Sequence, residues 1–533
     1  MKQLKKVVSL MLVLVMVMAM SCTVLAAGAD DLPDKPGNKP ADMTGHTFTA
    51  YQIFDGTQNQ GENELLGIKW GSGINGESFL AALKASSDFG TPNAFASIVY
   101  SSAEPYKSAD AVARVITSWD DDGTMARAFA RLADQHKTGT GSPNGATLPA
   151  GYYLVVDETN VDGVEGEVKN LSILQLTAEH AFTPTNKTDV PELEKKVEEI
   201  NDSTGSENWQ DAADYDIGDH VKFVLTGTLP ADYDSYVRYQ YVFHDTLSSG
   251  LQLDTDSVKV TIDGAAAAEG TYTLNTAPQN NESFTVTFAN LKMQTAVTKD
   301  SVIRVEYTAT LLPGAVVGGA GNSNTAHLEY SNNPNDNGTG TPTTGNTPED
   351  KVVVFTYSLI ANKTDEDNKA LSGAGFTLYK YNAQSMAEDK YEPVGTEMTG
   401  VTTFTFKGVD AGMYKLVETT VPAGYNKAED MYFTVTAEYA ATSDNASPSV
   451  TKLEITSVND AAGKQIVDAT GTPTFSFTGV ASAGTLTTDI VNLKGILLPS
   501  TGGIGTTIFY IIGGIMVVGA GVLLVTRKRM GTR

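Results

Sequence analysis

The sequence predicts a mainly β protein of tandem β-sandwich domains, the first with a helical insertion, and three observations carry that prediction. From about residue 190 onward, short alternating runs such as "HVKFVLTGTLP", "YQYVFHDTL", "SFTVTFANL" and "SVIRVEYTATL" are separated by Gly, Asn, Pro and Asp. That is the rhythm of strands with one buried face, joined by turns. Helical periodicity is concentrated earlier, in "ESFLAALKASSDF" and "ADAVARVITSWDDDGTMARAFARLADQH". Finally, the 533 residues contain one cysteine, so several sandwich-sized units must hold together without disulfides.

Taken in order, residues 1–26 read as a signal peptide. Lys2, Lys5 and Lys6 precede the apolar stretch "VVSLMLVLVMVMAM", and small residues surround Val24-Leu25-Ala26. A lipoprotein reading of Cys22 is disfavoured, because Ala19 and Ser21 fit a lipobox poorly. Residues 27–186 form the first domain, opening with "HTFTAYQIF" and closing, after the helical stretch, on the strand "GYYLVVDET". Residues 187–345 are a second, almost purely β domain that ends in the polar tract "NPNDNGTGTPTTGNTPED". Residues 346–497, from "VVVFTYSLIANK" to "TTDIVNL", make the last β domain. The chain closes, over residues 498–533, with "LPSTG" (Leu498, Pro499, Ser500, Thr501, Gly502), an uncharged run from Ile504 to Thr526, and Arg527, Lys528 and Arg529. As a helix that run rises about 35 Å, enough to cross a bilayer. The basic flank marks its cytoplasmic side.

The formal net charge is −26, from 63 acidic and 37 basic residues. Three of the basic residues lie in the leader and four in the tail, so the exported part is more acidic still. Such a field excludes nucleic acid and anionic membranes as partners and favours a self-repelling, soluble surface. The six histidines are scattered through the sequence with no HExxH, and no nucleophile elbow is present. The stretch Asp365 to Phe376 starts like a calcium loop, but lacks the glycine at its sixth position and the closing glutamate. "WDDDG" at 119–123 reads as a solvated turn. Neither a metal nor a cofactor is expected.

Two lysines fall on the wrong face of their strands. The period of two places Lys195 with Leu193 and Val197 in "PELEKKV", and Lys363 with Phe355, Tyr357, Leu359 and Ala361 in "VVVFTYSLIANK". Two acids do the same: Asp245 lies with Tyr241 and Phe243, and Glu418 with Tyr414 and Leu416. Asn332 follows Leu328 and Tyr330, and Asn492 follows Ile490, on the apolar faces of the closing strands. Burial lowers a lysine pKa and raises that of an acid, so a neutral amine beside a protonated carboxyl becomes a nucleophile for the asparagine carboxamide. The product would be an intradomain Lys–Asn isopeptide bond, with the acid shuttling protons as ammonia leaves.

These stretches carry a resemblance. "YKLVETTVPAGY" resembles the E-box of sortase-assembled pilins, "LPSTGG" with its apolar run and "RKR" is similar to the wall-sorting signal of Gram-positive surface proteins, and "EKKV", "FHDTL" and "EYSNNP" resemble the middle domain of backbone pilins. The resemblance spans about 182 to the C-terminus, with the first domain matched only loosely through "AYQIF" and "GYYLVVDET". It implies immunoglobulin-like, Cna-type sandwiches and two triads: Lys195, Asp245, Asn332 and Lys363, Glu418, Asn492. Asp216 and Asp219 rival Asp245 as the middle acid, and Asn333 rivals Asn332. The first domain has no lysine in "HTFTAYQIF", so no bond is expected there.

The resemblance further implies that a sortase cuts between Thr501 and Gly502. The threonyl group then passes to peptidoglycan or to a lysine of another copy of the chain. That lysine precedes the middle domain in pilins, usually within "YPK"; here "AFTPTNKTDV" separates Pro184 from Lys187, and Lys187 is the candidate. The expected function is that of a backbone pilin, not an enzyme, joined by sortase and its own copies, with accessory pilins and host surface ligands as further partners. The alternative is a monomeric, wall-anchored adhesin.

Overall fold

A computed structural model describes residues 32–59, 64–119, 123–184, 188–440, 447–495 and 504–530. The leader, Cys22, Lys187 and Leu498–Gly502 lie outside the described residues.

In the first domain, β1 (Phe48–Gln58), β2 (Leu65–Trp70), β3 (Gly151–Asp157) and β4 (Leu171–Leu176) form one antiparallel sheet in the order β2-β1-β3-β4. Its second layer is helical. Helix α1 (Gly76–Ala85) starts where the Asn75 side chain accepts from the Ser78 amide at 3.1 Å, and it turns Phe79, Leu80 and Leu83 inward. Helix α2 (Pro105–Ile116) has proline in its first turn, where no backbone donor is needed. Helix α3 (Thr124–Gln135) sets Phe129 against Phe79 and Phe54. The helical insertion therefore covers the sheet face that carries Phe54, Leu154 and Val156.

The middle domain is a two-sheet sandwich. One sheet has the order β6 (Ser206–Gln210), β5 (Leu193–Asn201), β8 (His220–Gly227), β12 (Ile303–Leu311), β10 (Lys259–Ile262). The facing sheet runs β7 (Ala212–Asp214), β14 (Asp350–Phe355), β13 (Asn322–Ser331), β9 (Tyr241–Leu247), β11 (Phe284–Phe288). Strict alternation decides which side is buried. Ile303, Val305, Tyr307, Ala309 and Leu311 point inward from β12, and Asn322, Asn324, Ala326, Leu328 and Tyr330 from β13. The polar tract after β13 folds back onto it: Thr344–Asn346 pairs with Glu329–Ser331.

Asp350–Phe355, assigned by sequence to the last domain, instead hydrogen-bonds along β13. The sheets thus change hands at Thr356, not at 345/346, because a strand buried on both sides reads as one continuous apolar run across the junction. Beyond it, β15 (Tyr357–Asp365) pairs with β17 (Thr403–Val409) and, in parallel, with β21 (Thr485–Asn492). The opposing sheet has the order β16 (Gly375–Tyr381), β18 (Gly412–Thr420), β19 (Met431–Tyr439), β20 (Val450–Asn459). Between them lie Phe376, Leu378, Phe404, Tyr414, Leu416 and Phe433. Helix α4 (Ile504–Met530) follows, and its segment Phe509–Lys528 is long and apolar enough to cross a membrane.

Candidate functional site

Lys195 enters the middle core because it sits between Leu193 and Val197 on the inward face of β5. Its side chain is fully buried, with Nζ donating to Asp245 and, at 2.7 Å, to the Tyr307 hydroxyl. Tyr307 Oη donates to Asp245 Oδ2 at 2.6 Å and accepts from Asn324 Nδ2 at 2.8 Å. The rings of Phe223 and Tyr307 lie 5.6 and 5.4 Å from Nζ. Asp245 Oδ1 and Asn324 Oδ1 are buried with no hydrogen-bond partner among the described residues. Burial drives the Lys195 amine below its ordinary pKa despite the neighbouring carboxyl, and drives Asp245 above the carboxylate range. Both shifts favour the uncharged pair.

Asn332, the acceptor expected from sequence, is elsewhere. Its Nδ2 donates to the carbonyls of Val161 (2.6 Å) and Glu167 (3.2 Å), in the loop after β3. Eight residues of extended chain separate it from Asn324, roughly 27 Å at about 3.4 Å per residue. Both asparagines have the same parity, but β13 ends at Ser331, and the side chain at 332 leaves the sandwich for the first domain. Asn324 is the carboxamide that the fold brings to Lys195. Asn333 caps a turn through the Asn335 amide. Asp216 receives Lys380, and Asp219 accepts from the Asp216 amide, so neither rival acid reaches Lys195.

In the last domain the expected residues converge. Lys363, Glu418 and Asn492 are at most 1% exposed. Parallel pairing of β15 with β21 sets Lys363 opposite Ile490 and Asp365 opposite Asn492. Lys363 Nζ donates to the Ile490 carbonyl at 2.8 Å and the Thr364 carbonyl at 3.1 Å. Glu418 Oε1 accepts from Asn492 Nδ2 at 2.7 Å, and Oε2 accepts from the Ala428 amide at 2.7 Å. Asn492 Oδ1 is buried and unpartnered among the described residues. Burial lowers the Lys363 pKa to about 8, outweighing the pull of Glu418 and Asp365.

The two sites place their acids differently. Asp245 sits on the nucleophile and is tied to the amide through Tyr307, whereas Glu418 sits on the amide nitrogen that would leave. Sequence reasoning missed Tyr307 and Asn324, although both show the period-two signal in "VIRVEYTATL" and "NSNTAHLEY". In the first domain the buried polar centre is a histidine: His46 Nδ1 is 2.6 Å from Asp157 Oδ2, and Nε2 is 2.5 Å from Glu167 Oε2.

Against known proteins, residues 217–334 match the family described as Gram-positive pilin backbone subunit 2, Cna-B-like domain; residues 357–447 match the SpaA prealbumin-like fold domain; and residues 494–530 match the LPXTG cell wall anchor motif. The chain is 28% identical over 404 residues to the trypsin-resistant surface T6 protein of Streptococcus pyogenes serotype M6, covering 65% of this chain and 70% of that one. It is 31% identical over 310 residues to the fimbrial subunit type 2 of Actinomyces naeslundii, covering 48% of this chain and 55% of that one. Among solved structures it is similar to the T6 backbone pilin of S. pyogenes, at 18% identity and TM-score 0.47 over 87% of this chain and all of that one. The full-length major pilin SpaD of Corynebacterium diphtheriae is similar at 17% identity and TM-score 0.40, over 86% and 94%.

Proposed function

We infer that this chain, which carries Gram-positive backbone-pilin domains and an LPXTG wall anchor, is a structural subunit of a cell wall-anchored surface fimbria, and from that premise propose how it is linked and hardened. Sortase cleaves between Thr501 and Gly502 and transfers the threonyl group to Lys187 of the next subunit, or, at the base, to peptidoglycan. Helix α4 holds the precursor at the membrane until that cut. The observation that supports the hardening best is the pair of buried, solvent-free lysines, each in a pocket that also holds an acid and an asparagine. In each domain the neutral Nζ attacks the asparagine Cγ. A new Cγ–Nζ bond forms, the Cγ–Nδ2 bond breaks, and one lysine proton leaves with Nδ2 as ammonia.

In the middle domain Asp245 takes the ammonium proton of Lys195 and returns one toward Nδ2 of Asn324, with Tyr307 as the bridge. In the last domain Glu418, fixed by the Ala428 amide, holds Nδ2 of Asn492, takes the proton that Lys363 loses on attack and passes it to Nδ2 as ammonia departs. Each reaction runs once per domain on the chain itself, so the protein is a substrate and a structural element, not an enzyme. Accessory pilins and host surface ligands are further partners in this reading.

Boiled, detergent-treated wall extracts of cells expressing the chain test the polymer. A ladder of high-mass bands that collapses in Lys187→Ala is the expected immunoblot. A ladder that survives the substitution moves the linkage to another lysine. A single wall-linked band in both strains would make the chain a monomeric adhesin.

A further inference from the structure

The outer face of the middle domain carries a cluster of imidazoles and carboxylates that takes no part in the isopeptide chemistry. His244 on β9 and His327 on β13 are direct register partners, and their rings stack with centroids 4.6 Å apart and planes 2° from parallel. Glu282, in the turn before β11, brings Oε1 to 3.1 Å from His244 Nδ1. Glu329, two residues beyond His327 on the same face, lies 3.8 Å from His244 Nε2 and is oriented by the Gln240 amide at 2.5 Å. His244 Nε2 is buried and has no hydrogen-bond partner among the described residues. One donor atom from each of His244, His327 and Glu282 falls within 4.8 Å of the others.

We propose that His244, His327 and Glu282 form a binding site for a divalent transition-metal ion of the zinc class, with solvent completing the coordination. Two imidazoles with carboxylate oxygens suit such an ion, whereas calcium and magnesium take oxygen ligands. Bonds of about 2.0–2.1 Å in a tetrahedron hold donors about 3.3 Å apart, so binding requires the two stacked rings to turn until their lone pairs converge on one point. The side chains of His244 and Glu282 are each 16% exposed, enough for an ion to enter from solvent.

The site would staple β9, β13 and the turn before β11 on the outside of the sheet. On the inside, the next residue of β9 is Asp245, and Asn324 lies three residues before His327 on β13. A bound ion would therefore fix, from the back, the two strands that carry the acid and the acceptor amide.

Titration of the full chain, purified in detergent without a histidine tag, with zinc chloride in a calorimeter tests the site. One zinc per chain is expected, with His327→Gln and Glu282→Gln each losing more than the roughly 100-fold in affinity that outer-shell partners carry at most. Zinc-edge X-ray absorption on the wild-type chain reads the ligands without any substitution, and two imidazoles are expected. No saturable uptake, an affinity unchanged in His327→Gln, or a coordination sphere without imidazole would each overturn the proposal.

Discussion

At the residue scale, two lysines share a strategy and differ in detail. Lys195 has a hydroxyl and a carboxyl on its amine, and the target amide reaches it through that hydroxyl, while Lys363 is held by two carbonyls and its acid waits on the leaving nitrogen. The first prediction separates Asn324 from Asn332. In Asn324→Ala the intact mass of the exported chain loses one ammonia, from the last domain, instead of two; in Asn332→Ala it still loses both. Loss of the middle bond should cost about 4 to 5 kcal/mol of domain stability, by analogy with a disulfide closing roughly 100 residues or more, read as a lower denaturant midpoint in Asn324→Ala. The second prediction concerns pH. In the proposed reaction Lys363 attacks as the free amine, and burial lowers its pKa to about 8. In freshly refolded, unlinked last domain within the full chain, ammonia release should therefore accelerate as pH rises toward about 8 and level off above it. A rate that falls over this range would mean that a protonated group other than the amine limits the step. Lys195, Lys363, Asp245 and Glu418 were legible because alternation alone put a charge in the core. Asn324 is equally legible, in the same row as Ala326 and Leu328, but the same parity also marks Asn332 at the strand end. Tyr307 was not, since a tyrosine in an apolar row looks like ordinary packing.

At the scale of elements, the same alternation that exposes reactive lysines also marks Lys380, which follows Phe376 and Leu378 on β16 and is buried. Its fate is different. Its Nζ donates to Asp202 at 2.7 Å, Asp216 at 2.8 Å and Asp410 at 2.7 Å, the first two from the middle domain and the third from the last. Burial opposes its charge, but Asp410 and Asp216 outweigh burial and hold the amine well above its ordinary pKa. Beside this clasp, Asp214 accepts from Tyr357 at 3.1 Å and from Tyr439. A strand's period reports that a lysine is inside; only the fold shows whether a carboxamide or a cage of carboxylates surrounds it. Lys380→Met removes the cation and leaves three carboxylates facing one another, a change of the kind that costs about 3–5 kcal/mol when a buried pair is broken. The expected result is faster proteolytic cleavage at the junction near Thr356 at neutral pH, with the middle and last isopeptide bonds still formed by mass. Asp219 lies with Asp202, Asp216 and Asp410 in one carboxylate group, and burial and neighbouring acids already raise its pKa to about 6 and hold Asp410 above the carboxylate range. Mild acid should therefore neutralise part of the cage and restore protection in the variant. Protection that does not recover on acidification would mean that the lost packing of the lysine stem, rather than charge repulsion, loosens the joint.

At the scale of the whole molecule, the question is where tension travels in a fibre. A subunit pulled between Lys187 and Thr501 loads the middle domain through the strand that follows Lys187 and the last domain through β21, which ends at Asn492, just before the sorting signal. In the last domain a Lys363–Asn492 bond connects the first strand to the last, so force entering at β15 leaves at β21 without stretching the sandwich between them. In the middle domain a Lys195–Asn324 bond joins the entering strand β5 to β13, not to the last strand. Force must then cross from β13 to β14 through backbone hydrogen bonds such as those pairing Asn324 with Val352 and Ala326 with Asp350. In the proposed linkage the crosslinked path is thus interrupted once, over β14 and the junction at Thr356, where the Lys380 clasp binds the two domains side by side. The large-scale layout was legible because turn residues and a repeated strand period divide the chain; this gap was not, because it depends on which asparagine closes the middle bond. Single-molecule pulling on the chain, held at its two ends, makes the consequence measurable. The wild type should yield the extension of the first domain, where no bond is expected, plus the segment released when β14 peels from β13, and nothing more. Lys363→Ala should add the unfolding length of the last domain, and Lys195→Ala that of the middle one. A wild-type trace with no yield in the middle domain would show that β14 does not peel from β13 under load, and a Lys363→Ala trace identical to wild type would remove the last-domain bond from the load path.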